Sequence, residues 1–516
     1  MNQVKWIPLA VLVAAIFFSF FFGLGSAPLF NKDEGAFCEA TREMMASGNY
    51  VMTYMNGEPR YDKPILIYWL QAASAGVFGL NEFALRFPSA LAAALWALAT
   101  WLFVRRQWNA DKAFLATFLL VTAAQITIIA KAAIADALLN FFIVTAMFSV
   151  YRFFETDRKR FMYLAYAAMA FGMLTKGPVA VLIPFAVSFL FCWRQRALKR
   201  WLRAVFDPVG ILIFLAIALP WYAAVLHDQG MGFINGFFLK HNVKRFGGAL
   251  EGHAGSLVYY LPVVLIGVMP YTGLLLASTR KVKEDFAAPI TQFLWLWFLF
   301  VFVLFSFSGT KLPHYVIYGY TPLFILMALR VDELRRDRWL LVPAAAFFAV
   351  ALLAPLSLPW LIPHVKDAMA AALMQAASDS IGWGYILPLI AALVLILGLG
   401  VVPGLSRRIK IAGVGLACMM IVNLVGMSLA GDVLHLPVKE AAQIARANDY
   451  NVVIWKIGER APSFVFYSGK LTEKRLPMNG DIIFTESKLL RDLGDADIIY
   501  ERNGVVLARL THIFGT

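Results

Sequence analysis

The chain has 516 residues, of which 60% are hydrophobic and 15% are charged. Repeated runs of about 20 apolar residues match the hydrocarbon core of a bilayer, so this composition excludes a soluble globular protein and predicts a polytopic membrane protein. The net charge of +14 does not require a nucleic-acid partner, because the basic residues lie in short clusters between apolar runs, where membrane orientation accounts for them. We therefore predict that nucleic acid is not among the partners of this protein.

The N-terminal apolar run, residues 6–28, is predicted to be a retained first span, because it is long and has no distinct signal-peptide cleavage site. The first polar stretch of the chain follows as a loop of residues 29–64. Within this loop the segment EATREMMASG predicts a short amphipathic helix that lies flat at the membrane interface, with Glu39, Arg42 and Glu43 facing water.

Further along the chain, the apolar runs predict about thirteen crossings in total. After the first, the predicted spans are 84–104, 113–130, 134–151, 161–175, 178–193, 208–226, 256–276, 288–307, 314–330, 339–356, 383–402 and 411–430. The run 65–80 is shorter and contains Gly76 and Gly79, so we predict a re-entrant or interfacial helix there. Basic clusters fall on one side of this arrangement, which the positive-inside rule assigns to the cytoplasm. The C-terminus then lies on the outer side.

The composition changes abruptly beyond the last span, which predicts a membrane domain over residues 1–432 and a small α/β periplasmic domain over residues 433–516. Residues 438–448 predict an amphipathic helix. Five segments then have strand character, namely NVVIWKIG, SFVFYSG, DIIFTE, ADIIYERNG and VVLARLT, with Asn503 and Gly504 as a hairpin turn. This region has no recognisable catalytic set, so we expect it to act as a lid or scaffold.

Acidic residues beside the predicted spans are candidates for function, because charge at membrane depth is costly. Asp33 and Glu34 open the first loop, where a hydrated loop start or a helix cap is the alternative interpretation. Asp136 enters a span five residues after Lys131, and a structural pair of these two residues is the alternative there. Carboxylates from distant parts of the chain at one membrane face suit glycosyl or phosphoryl transfer, as a base or as stabilisers of charge.

Basic residues on the same outer side form a second group of candidates. Lys63 precedes an apolar segment, where it either snorkels to the interface or holds the phosphate of a lipid whose tail lies in the bilayer. The run 240–246 contains His241 and Arg245 and breaks the positive-inside pattern, so an anionic ligand explains its charge better than orientation does. Asp62 and His241 are also candidate ligands for a divalent metal, either zinc or magnesium or manganese.

A third outer connection, residues 309–315, carries Lys311 and Tyr315. Lys311 adds a cation to the outer face, and the Tyr315 hydroxyl is available for hydrogen bonding. The turn TKGP, which contains Lys176, is similar in type, but a tight turn accounts for its sequence. Several cations and two acids on one membrane face together predict a single site for an anionic, lipid-embedded substrate.

In their order and spacing, six motifs resemble those of the membrane glycosyltransferases of the GT-C fold. Among these the chain is most similar to the lipid A 4-amino-4-deoxy-L-arabinose transferase family, relatives of the protein O-mannosyltransferases. The motifs are DE followed by EATREMMASGNY, YDKPILIYW, AIADALL, LTKGP, KHNVKRF and KLPHY. The resemblance covers residues 10–330 and implies an all-α polytopic GT-C domain, here followed by the small C-terminal α/β domain.

The resemblance also implies an activity and a location. Members of the family take a sugar from undecaprenyl phosphate on the periplasmic side of the bacterial inner membrane. They transfer it with inversion at the anomeric carbon to lipid A, and another glycolipid or glycan is an alternative acceptor here. The implied partners are therefore a polyprenyl-phosphate sugar donor, a glycolipid or glycan acceptor and membrane lipid.

Site residues can be carried over from the family motif by motif. Asp33 and Asp136 are the expected catalytic carboxylates, and we add Glu34 as the neighbour of the first. Asp62 and His241 correspond to the metal-associated acid and histidine of the family. The residues expected to contact the donor phosphate are Lys63, Arg245, Tyr315 and Lys311.

The chain departs from the family pattern at several positions. Ala36 and Phe37 stand where the family commonly has Arg and Tyr. Asp62 stands where Glu is usual, and His314 stands where a smaller residue is common. The sugar and the acceptor therefore stay open.

Two other functions also stay open. One is a transporter or flippase that binds polyprenyl-phosphate lipids without chemistry, and the other is a protein O-glycosyltransferase of the same fold. A flippase would not need paired acids beside the outer surface, and we expect repeat symmetry or broken midplane helices in one.

Overall fold

The computed structural model describes residues 6–30, 32–244, 255–334 and 336–514, and helices dominate these ranges. Within them, seven helices are long and apolar enough to cross a membrane, or up to nine if each of two sharply bent helix pairs counts as one span. Shorter apolar helices accompany them. This architecture agrees with the predicted polytopic helical domain and its small C-terminal α/β part. The predicted number of about thirteen crossings is not reached by helices of this length within the described ranges, because predicted spans such as 178–193 form helices shorter than 18 residues.

The α-helices of the first half are α1 (Trp6–Ile16), α2 (Lys32–Ser47), α3 (Leu66–Phe78), α4 (Glu82–Gln107), α5 (Ala110–Thr122), α6 (Ala124–Lys131), α7 (Asp136–Thr156), α8 (Lys159–Lys176), α9 (Val179–Arg194), α10 (Leu198–Val205) and α11 (Pro208–Gln229). The main later helices of the membrane domain are Tyr260–Gly267, Thr272–Thr279, Pro289–Ser306, Tyr320–Arg330, Arg338–Leu353, Ala368–Asp379, Trp383–Val401 and Arg407–Ile421. A π-helical segment, Ile234–Lys244, carries His241. Two short strands, β1 (Tyr54–Met55) and β2 (Glu58–Pro59), form a hairpin in the first loop.

Two of the predicted spans are not continuous helices. The predicted span 113–130 consists of α5 and α6, which are bent by 66° at their junction, and the predicted span 256–276 is a pair bent by 119°. In the first pair Ala123 is extended, with φ −71° and ψ 137°, and so interrupts the helix. In the second pair Pro270 lies in the break, where its missing N–H cannot continue the hydrogen-bond ladder.

The predicted re-entrant or interfacial run 65–80 forms α3, which has 13 residues. At 1.5 Å per residue it extends for about 20 Å, which is too short to cross the ~30 Å hydrocarbon core. α3 begins two residues after Pro64, so it holds the Asp62-Lys63 turn at its N-terminal end.

α2 forms in the first loop as predicted, but its charged face is buried instead of facing water. Glu39 is fully buried, and its two carboxylate oxygens accept hydrogen bonds from Arg42 at 2.7 Å. Glu43 is also buried, where it accepts backbone N–H groups of the β1–β2 turn. The cause is the helix Ala461–Ser468 of the C-terminal part, which packs on α2. This tertiary contact cannot be inferred from the helical period alone.

The C-terminal part of the chain folds as a sheet with helices. Its strands are β3 (Val452–Ile454), β4 (Ile482–Glu486), β5 (Gly494–Arg502) and β6 (Val505–Ile513), and its helices are Leu436–Ala447, Ala461–Ser468 and Ser487–Leu493. The strand order is β3-β4-β6-β5, with β3 and β4 parallel and the other neighbours antiparallel. As predicted, Asn503 and Gly504 form the hairpin turn, with φ values of 49° and 79°.

One segment of the C-terminal part differs from the sequence analysis, while the division into two domains stays a prediction. The segment SFVFYSG, predicted to be a strand, belongs to the helix Ala461–Ser468, which has a proline in its first turn and ends at Gly469 with φ 73°. This helix is apolar because it is buried against α2 and the sheet, where Phe464 stacks on Phe484. The predicted boundary at residue 432 falls inside one continuous helical stretch, Arg407–Ala447, so the last span runs directly into the C-terminal part.

Candidate active site

A cavity of about 480 Å³ is bounded by the first loop, the α8–α9 turn, the π-helical segment and the end of the helix Pro289–Ser306. Its polar lining comprises Asp62, Lys63, Lys176, His241, Ser308, Tyr315 and Tyr318. Its apolar lining comprises Pro178, Val179, Leu182, Phe238, Leu304 and Phe305. Such a combination of a few charged groups with a hydrocarbon surface suits a ligand that has an anionic head and an apolar tail.

Asp62, in the first loop, contacts the basic residues of the cavity. Its carboxylate lies 3.0 Å from Lys63 Nζ, 3.0 Å from an Arg60 guanidinium nitrogen and 3.0 Å from His241 Nδ1. Burial alone would raise the pKa of Asp62, but Lys63, His241 and Arg60 together hold that pKa well below its usual value. The carboxylate is therefore ionised, and it fixes Lys63 and His241 at the cavity surface.

Arg60 joins this cluster to α2. One guanidinium nitrogen donates to the Ala36 carbonyl at 3.1 Å and to the Tyr68 hydroxyl at 2.7 Å. The guanidinium also lies 5.0 Å from the centre of the Phe37 ring. Ala36 and Phe37, two of the four positions at which the chain departs from the family pattern, are thus both in contact with Arg60.

Asp136 is buried at the start of α7, beneath the cavity lining. It accepts hydrogen bonds from Lys176 Nζ at 2.7 Å and from the Tyr318 hydroxyl at 2.6 Å. Lys176 also donates to the Tyr318 hydroxyl at 2.8 Å, so the three groups form a closed triangle. His314 Nε2 lies 3.9 Å from the same carboxylate. Asp136 therefore holds Lys176 and Tyr318 in the cavity wall.

The structural pair of Lys131 with Asp136, an alternative from the sequence, does not form. Lys131 Nζ instead donates to the Phe22 carbonyl and to the Asn423 side chain, on the first and last membrane helices. The chain leaves helical geometry after Lys131, so its side chain and that of Asp136 belong to separate helices. The partner of Asp136 is Lys176, from the far end of α8.

Glu34, which we predicted to be catalytic beside Asp33, is instead fully used in a buried network. Its two oxygens accept from the Arg86 guanidinium at 2.8 Å each, and from the backbone N–H groups of Phe30 and Ala133 at 2.7 Å each. Four donors to one buried carboxylate match the bidentate geometry of a structural ion pair. Glu34 therefore joins α2, α4 and the segment before α7.

Asp33, one residue earlier, has a different environment. It is exposed in the first turn of α2, where negative charge is favoured. Neighbouring positions on a helix diverge by about 100°, which explains why one acid is buried and the other is not. Asp33 interacts electrostatically with Arg60 and with His314, and His314 also interacts with Asp136. That Asp33 and Asp136, from distant parts of the chain, act at one site stays a prediction, which these electrostatic interactions favour.

The predicted phosphate ligands have three different placements. Lys63 and Tyr315 line the cavity, and the Tyr315 ring centre lies 5.2 Å from Lys176 Nζ. Lys311 is buried and donates to the Ser308 carbonyl at 2.7 Å. Lys311 thereby supports Ser308, which lines the cavity, but Lys311 itself is not among the described residues that line it. Arg245 lies outside the described residues.

Sequence reasoning underestimated Lys176 and missed Tyr318 and Phe238. The TKGP turn was assigned to local geometry, and Gly177 does have φ 88°. The signal that could have identified Lys176 is a charged residue at the end of an apolar run, which is costly unless it has a partner. Tyr318 and Phe238 lie in apolar segments and have no such signal.

Asp62 and His241 are the candidate metal ligands, and the described residues fit a divalent cation poorly. No group of three or more His, Cys, Asp or Glu side chains that could hold a metal occurs within the described ranges. In addition, Lys63 and Arg60 already neutralise the Asp62 carboxylate and repel a further cation. The arrangement is better suited to an anion.

Comparisons with known proteins show similarity to glycosyltransferases that use lipid-linked sugars. The family model for dolichyl-phosphate-mannose-protein mannosyltransferases matches residues 62–223. An undecaprenyl phosphate-α-4-amino-4-deoxy-L-arabinose arabinosyl transferase of Aeromonas hydrophila is 32% identical over 345 residues, which are 65% of this chain and 61% of that protein. The enzyme of the same name from Yersinia pestis is 30% identical over 311 residues, 59% of this chain and 56% of that protein. The chain thus spans about three fifths of the length of these curated relatives.

The similarity of fold extends further than the similarity of sequence. The crystal structure of ArnT from Cupriavidus metallidurans bound to undecaprenyl phosphate aligns with a TM-score of 0.81 at 20% identity and covers 98% of each chain. The archaeal oligosaccharyltransferase AglB from Archaeoglobus fulgidus aligns with a TM-score of 0.53 at 12% identity, covering 92% of this chain and 65% of that one. The chain is therefore a multi-pass membrane protein with the GT-C fold, similar to the membrane arabinosyl transferases.

Proposed function

We propose that this protein is an inverting glycosyltransferase that moves a sugar from a polyprenyl-phosphate donor to an acceptor on the periplasmic side of a bacterial inner membrane. The observation that carries the proposal is the cavity in which Lys63 and Lys176 share a wall with hydrocarbon side chains, with Asp62 and Asp136 paired to the two lysines. The names of the curated relatives, and the ligand of the ArnT crystal structure, support undecaprenyl phosphate as the carrier.

In this proposal the lysines act on the leaving group. As the bond between the anomeric carbon and the phosphate oxygen breaks, the electron pair stays on the polyprenyl phosphate, whose negative charge increases. Lys63 and Lys176 are already held at the cavity surface by Asp62 and Asp136, so they stabilise this charge without reorganisation. The Tyr315 hydroxyl, and Arg245 from its motif, complete the set of phosphate donors.

Asp33 acts on the acceptor. An acceptor oxygen attacks the anomeric carbon from the face opposite the phosphate and forms the new bond in the same step, which inverts the configuration. If the acceptor is a hydroxyl group, Asp33 takes its proton; if the acceptor is already an anionic phosphate, Asp33 orients it or balances charge. The exposure of Asp33, in contrast to the saturated Glu34, supports this assignment.

The acceptor and the C-terminal part belong to the same proposal. Lipid A is the acceptor that the family resemblance favours, and another glycolipid or a glycan fits the same chemistry. We assign residues 1–432 to the membrane domain and residues 433–516 to a periplasmic scaffold. The packing of the helix Ala461–Ser468 on α2 supports a scaffold, because α2 carries Asp33.

A divalent metal at Asp62 and His241 remains a proposal from the sequence, and no step above passes through it. Incubation with a chelator, followed by the transfer assay below, tests it. Turnover that falls with chelation and returns with zinc, magnesium or manganese would establish a metal requirement.

The experiment that tests the function is transfer by the purified full chain in proteoliposomes that contain a polyprenyl-phosphate sugar labelled in the sugar, together with lipid A. A transferase moves the label from the carrier to the acceptor. A flippase leaves the label on its carrier and changes only the leaflet in which the carrier lies. If the label stays on the carrier with every acceptor tested while the carrier crosses the bilayer, the result would contradict the transferase function and support the flippase function.

A further inference from the structure

Two further cavities lie toward the opposite end of the helices that carry the active-site cavity. α7 begins at Asp136 and ends at Thr156, and α8 returns from Lys159 to Lys176, where Lys176 meets Asp136 at 2.7 Å. α7 has 21 residues, so the α7–α8 turn lies about 30 Å from that ion pair. A head group bound at the turn is therefore distinct from the phosphate that we place in the active-site cavity.

The first of these cavities, here called the distal cavity, has a volume of about 220 Å³ and an almost entirely apolar lining that includes Val150, Phe154, Met169, Phe185 and Trp201. Its two polar groups are already engaged. Ser188 Oγ accepts from Trp201 Nε1 at 3.0 Å and donates to the Phe185 carbonyl at 2.9 Å, and the Tyr166 hydroxyl donates to the Val205 carbonyl at 2.7 Å. The distal cavity therefore selects for hydrocarbon.

The second cavity, here called the basic groove, has a volume of about 630 Å³ and is lined by Lys159, Arg200 and Arg203 with Asp157 and Asp207. The two cavities share Phe153, Met162 and Ala204 as a common wall. Exposed Arg158, Arg160 and Lys199 flank the groove and add positive charge. An apolar cavity and a positively charged groove thus lie side by side.

The cations of the basic groove are held in different ways. Arg200 donates to the carbonyls of Phe153 and Phe154 at 3.1 and 2.9 Å and to Asp157 at 2.6 Å. Its buried Nε has no hydrogen-bond partner within the described part of the chain. Lys159 and Arg203 are exposed, and Lys159 Nζ lies 3.5 Å from Asp207. Arg200 thus shapes the groove, while Lys159 and Arg203 can reach an added anion.

We propose that the distal cavity and the basic groove together bind one anionic glycerophospholipid, with an acyl chain in the distal cavity and its phosphate against Lys159 and Arg203. Membrane orientation explains basic residues on this face, but it does not explain an apolar cavity that shares a wall with them. The amphipathic helix α10 supplies both parts, because its Trp201 lines the distal cavity and its Arg203 lines the groove. Such a lipid would brace α7, α8 and α10 from the face opposite the active site.

Native mass spectrometry of the full chain tests this proposal, with phosphatidylglycerol and phosphatidylcholine of identical acyl chains as probes. We expect the wild-type protein to retain phosphatidylglycerol in preference. Each surface cation contributes about 1 kcal/mol to the binding of anionic lipid, so K159Q/R203Q should lose about tenfold or more of that preference. The matched control R106Q/K283Q removes two exposed cations elsewhere and should leave the preference unchanged.

A second arm tests the distal cavity separately from the charge. Ala165→Phe should fill it and lower the retention of phosphatidylglycerol with Lys159 and Arg203 intact, because Ala165 lines the cavity. Equal retention of both lipids by the wild-type protein would overturn the proposal, as would equal losses in the test and control variants. Displacement of the bound lipid by soluble glycerol phosphate would instead identify a phosphate site and overturn the assignment of the acyl chain.

Discussion

Each cavity lysine is held by one carboxylate, and that pairing is the central feature of the site at the scale of residues. Lys176 is paired with Asp136 at 2.7 Å and Lys63 with Asp62 at 3.0 Å. Buried or half-buried cations that are fixed in this way cannot relax toward solvent, so their charge is available to a ligand without reorganisation. In the proposed mechanism each carboxylate is a positioning residue, because it acts through its lysine; for Asp136 this differs from the catalytic role that the family resemblance implies.

Lys176→Met should lower kcat for sugar transfer by about a hundredfold or more, because one pre-placed cation at the leaving phosphate is lost. The measurement is single-turnover transfer from the labelled donor. The variant also leaves Asp136 without its ion pair, so Lys176→Met/Asp136→Asn serves as a second variant that should recover thermal stability but not turnover. Lys283→Met, an exposed lysine away from the cavity, is the control. Turnover of a folded Lys176→Met within about threefold of wild type would contradict the role.

Asp33→Asn and Glu34→Gln should have opposite effects, although the two acids are neighbours. Asp33 is exposed, so Asp33→Asn should abolish most of the turnover with little change in melting temperature. Glu34 is the buried partner of Arg86, and weakening such a pair from one side costs up to about 3–5 kcal/mol of stability. Thermal unfolding and transfer assays on both variants check this contrast. An Asp33→Asn variant with full activity would remove Asp33 from the chemistry.

Asp62→Asn tests the depressed pKa of Asp62 through stability. A carboxylate whose pKa in the folded protein lies below its unfolded value of about 3.9 stabilises the fold above that value, and the contribution is lost as the pH falls through the folded pKa. Since the pKa of Asp62 is held well below its usual value, wild type should keep its higher melting temperature relative to Asp62→Asn as the pH falls from about 8 to about 5. A difference that shrinks toward pH 5 would mean that Asp62 titrates there.

At the scale of elements, helix α2 connects the candidate active site to the C-terminal part of the chain. It carries Asp33 at one end, and Arg60 contacts it through Ala36 and Phe37. Its charged face is covered by the helix Ala461–Ser468. The two helices approach closely at Gly35, where an added Cβ would lie 2.9 Å from the backbone nitrogen of Ser463. Such close contact requires glycine.

Gly35→Ala should therefore move α2 away from the helix Ala461–Ser468 and displace Asp33 with it. We expect a lower melting temperature and reduced transfer, because the added methyl group meets backbone atoms that cannot rotate away. Gly76→Ala in α3 is the matched control, since no atom lies within 4 Å of its added Cβ. That control should be neutral or slightly stabilising, as alanine favours a helix by about 1 kcal/mol over glycine. Equal behaviour of the two variants would contradict the close packing at Gly35.

At the scale of the whole molecule, the C-terminal part is bound to the membrane domain through Glu82. This carboxylate accepts from Lys439 at 2.6 Å and from the Tyr467 hydroxyl at 2.9 Å. Tyr467 also accepts the backbone N–H of Leu29 at 2.7 Å. The helix Ala461–Ser468 packs on α2, and the Asn56 side chain donates to the Thr472 carbonyl at 2.8 Å, so the C-terminal part lies against the first loop. The proposed periplasmic orientation therefore applies to both together.

Thiol labelling in intact cells checks that orientation. Glu501→Cys places an exposed thiol on β5, and Lys283→Cys places one in a basic connection that we predict to be cytoplasmic. A membrane-impermeant maleimide should label Glu501→Cys in cells whose outer membrane is permeable, and Lys283→Cys only after lysis. The three native cysteines are buried, so the wild-type protein is the unlabelled control. The reverse pattern would invert the proposed topology.

The amino-acid order was sufficient for the features that depend on local composition. Apolar length predicts spans, and charge beside them predicts that Asp33, Asp136, Lys63 and Tyr315 belong to one site; of these, Lys63 and Tyr315 line the cavity. The pairings depend on where distant helices meet. Lys131 was the nearer candidate for Asp136, yet the broken helix before α7 separates them and the return of α8 supplies Lys176. Asp33 and Glu34 are neighbours in sequence, but only the side of α2 that carries Glu34 packs against Arg86 and the backbone of Phe30 and Ala133, while Asp33 is exposed. Burial is a property of the folded chain.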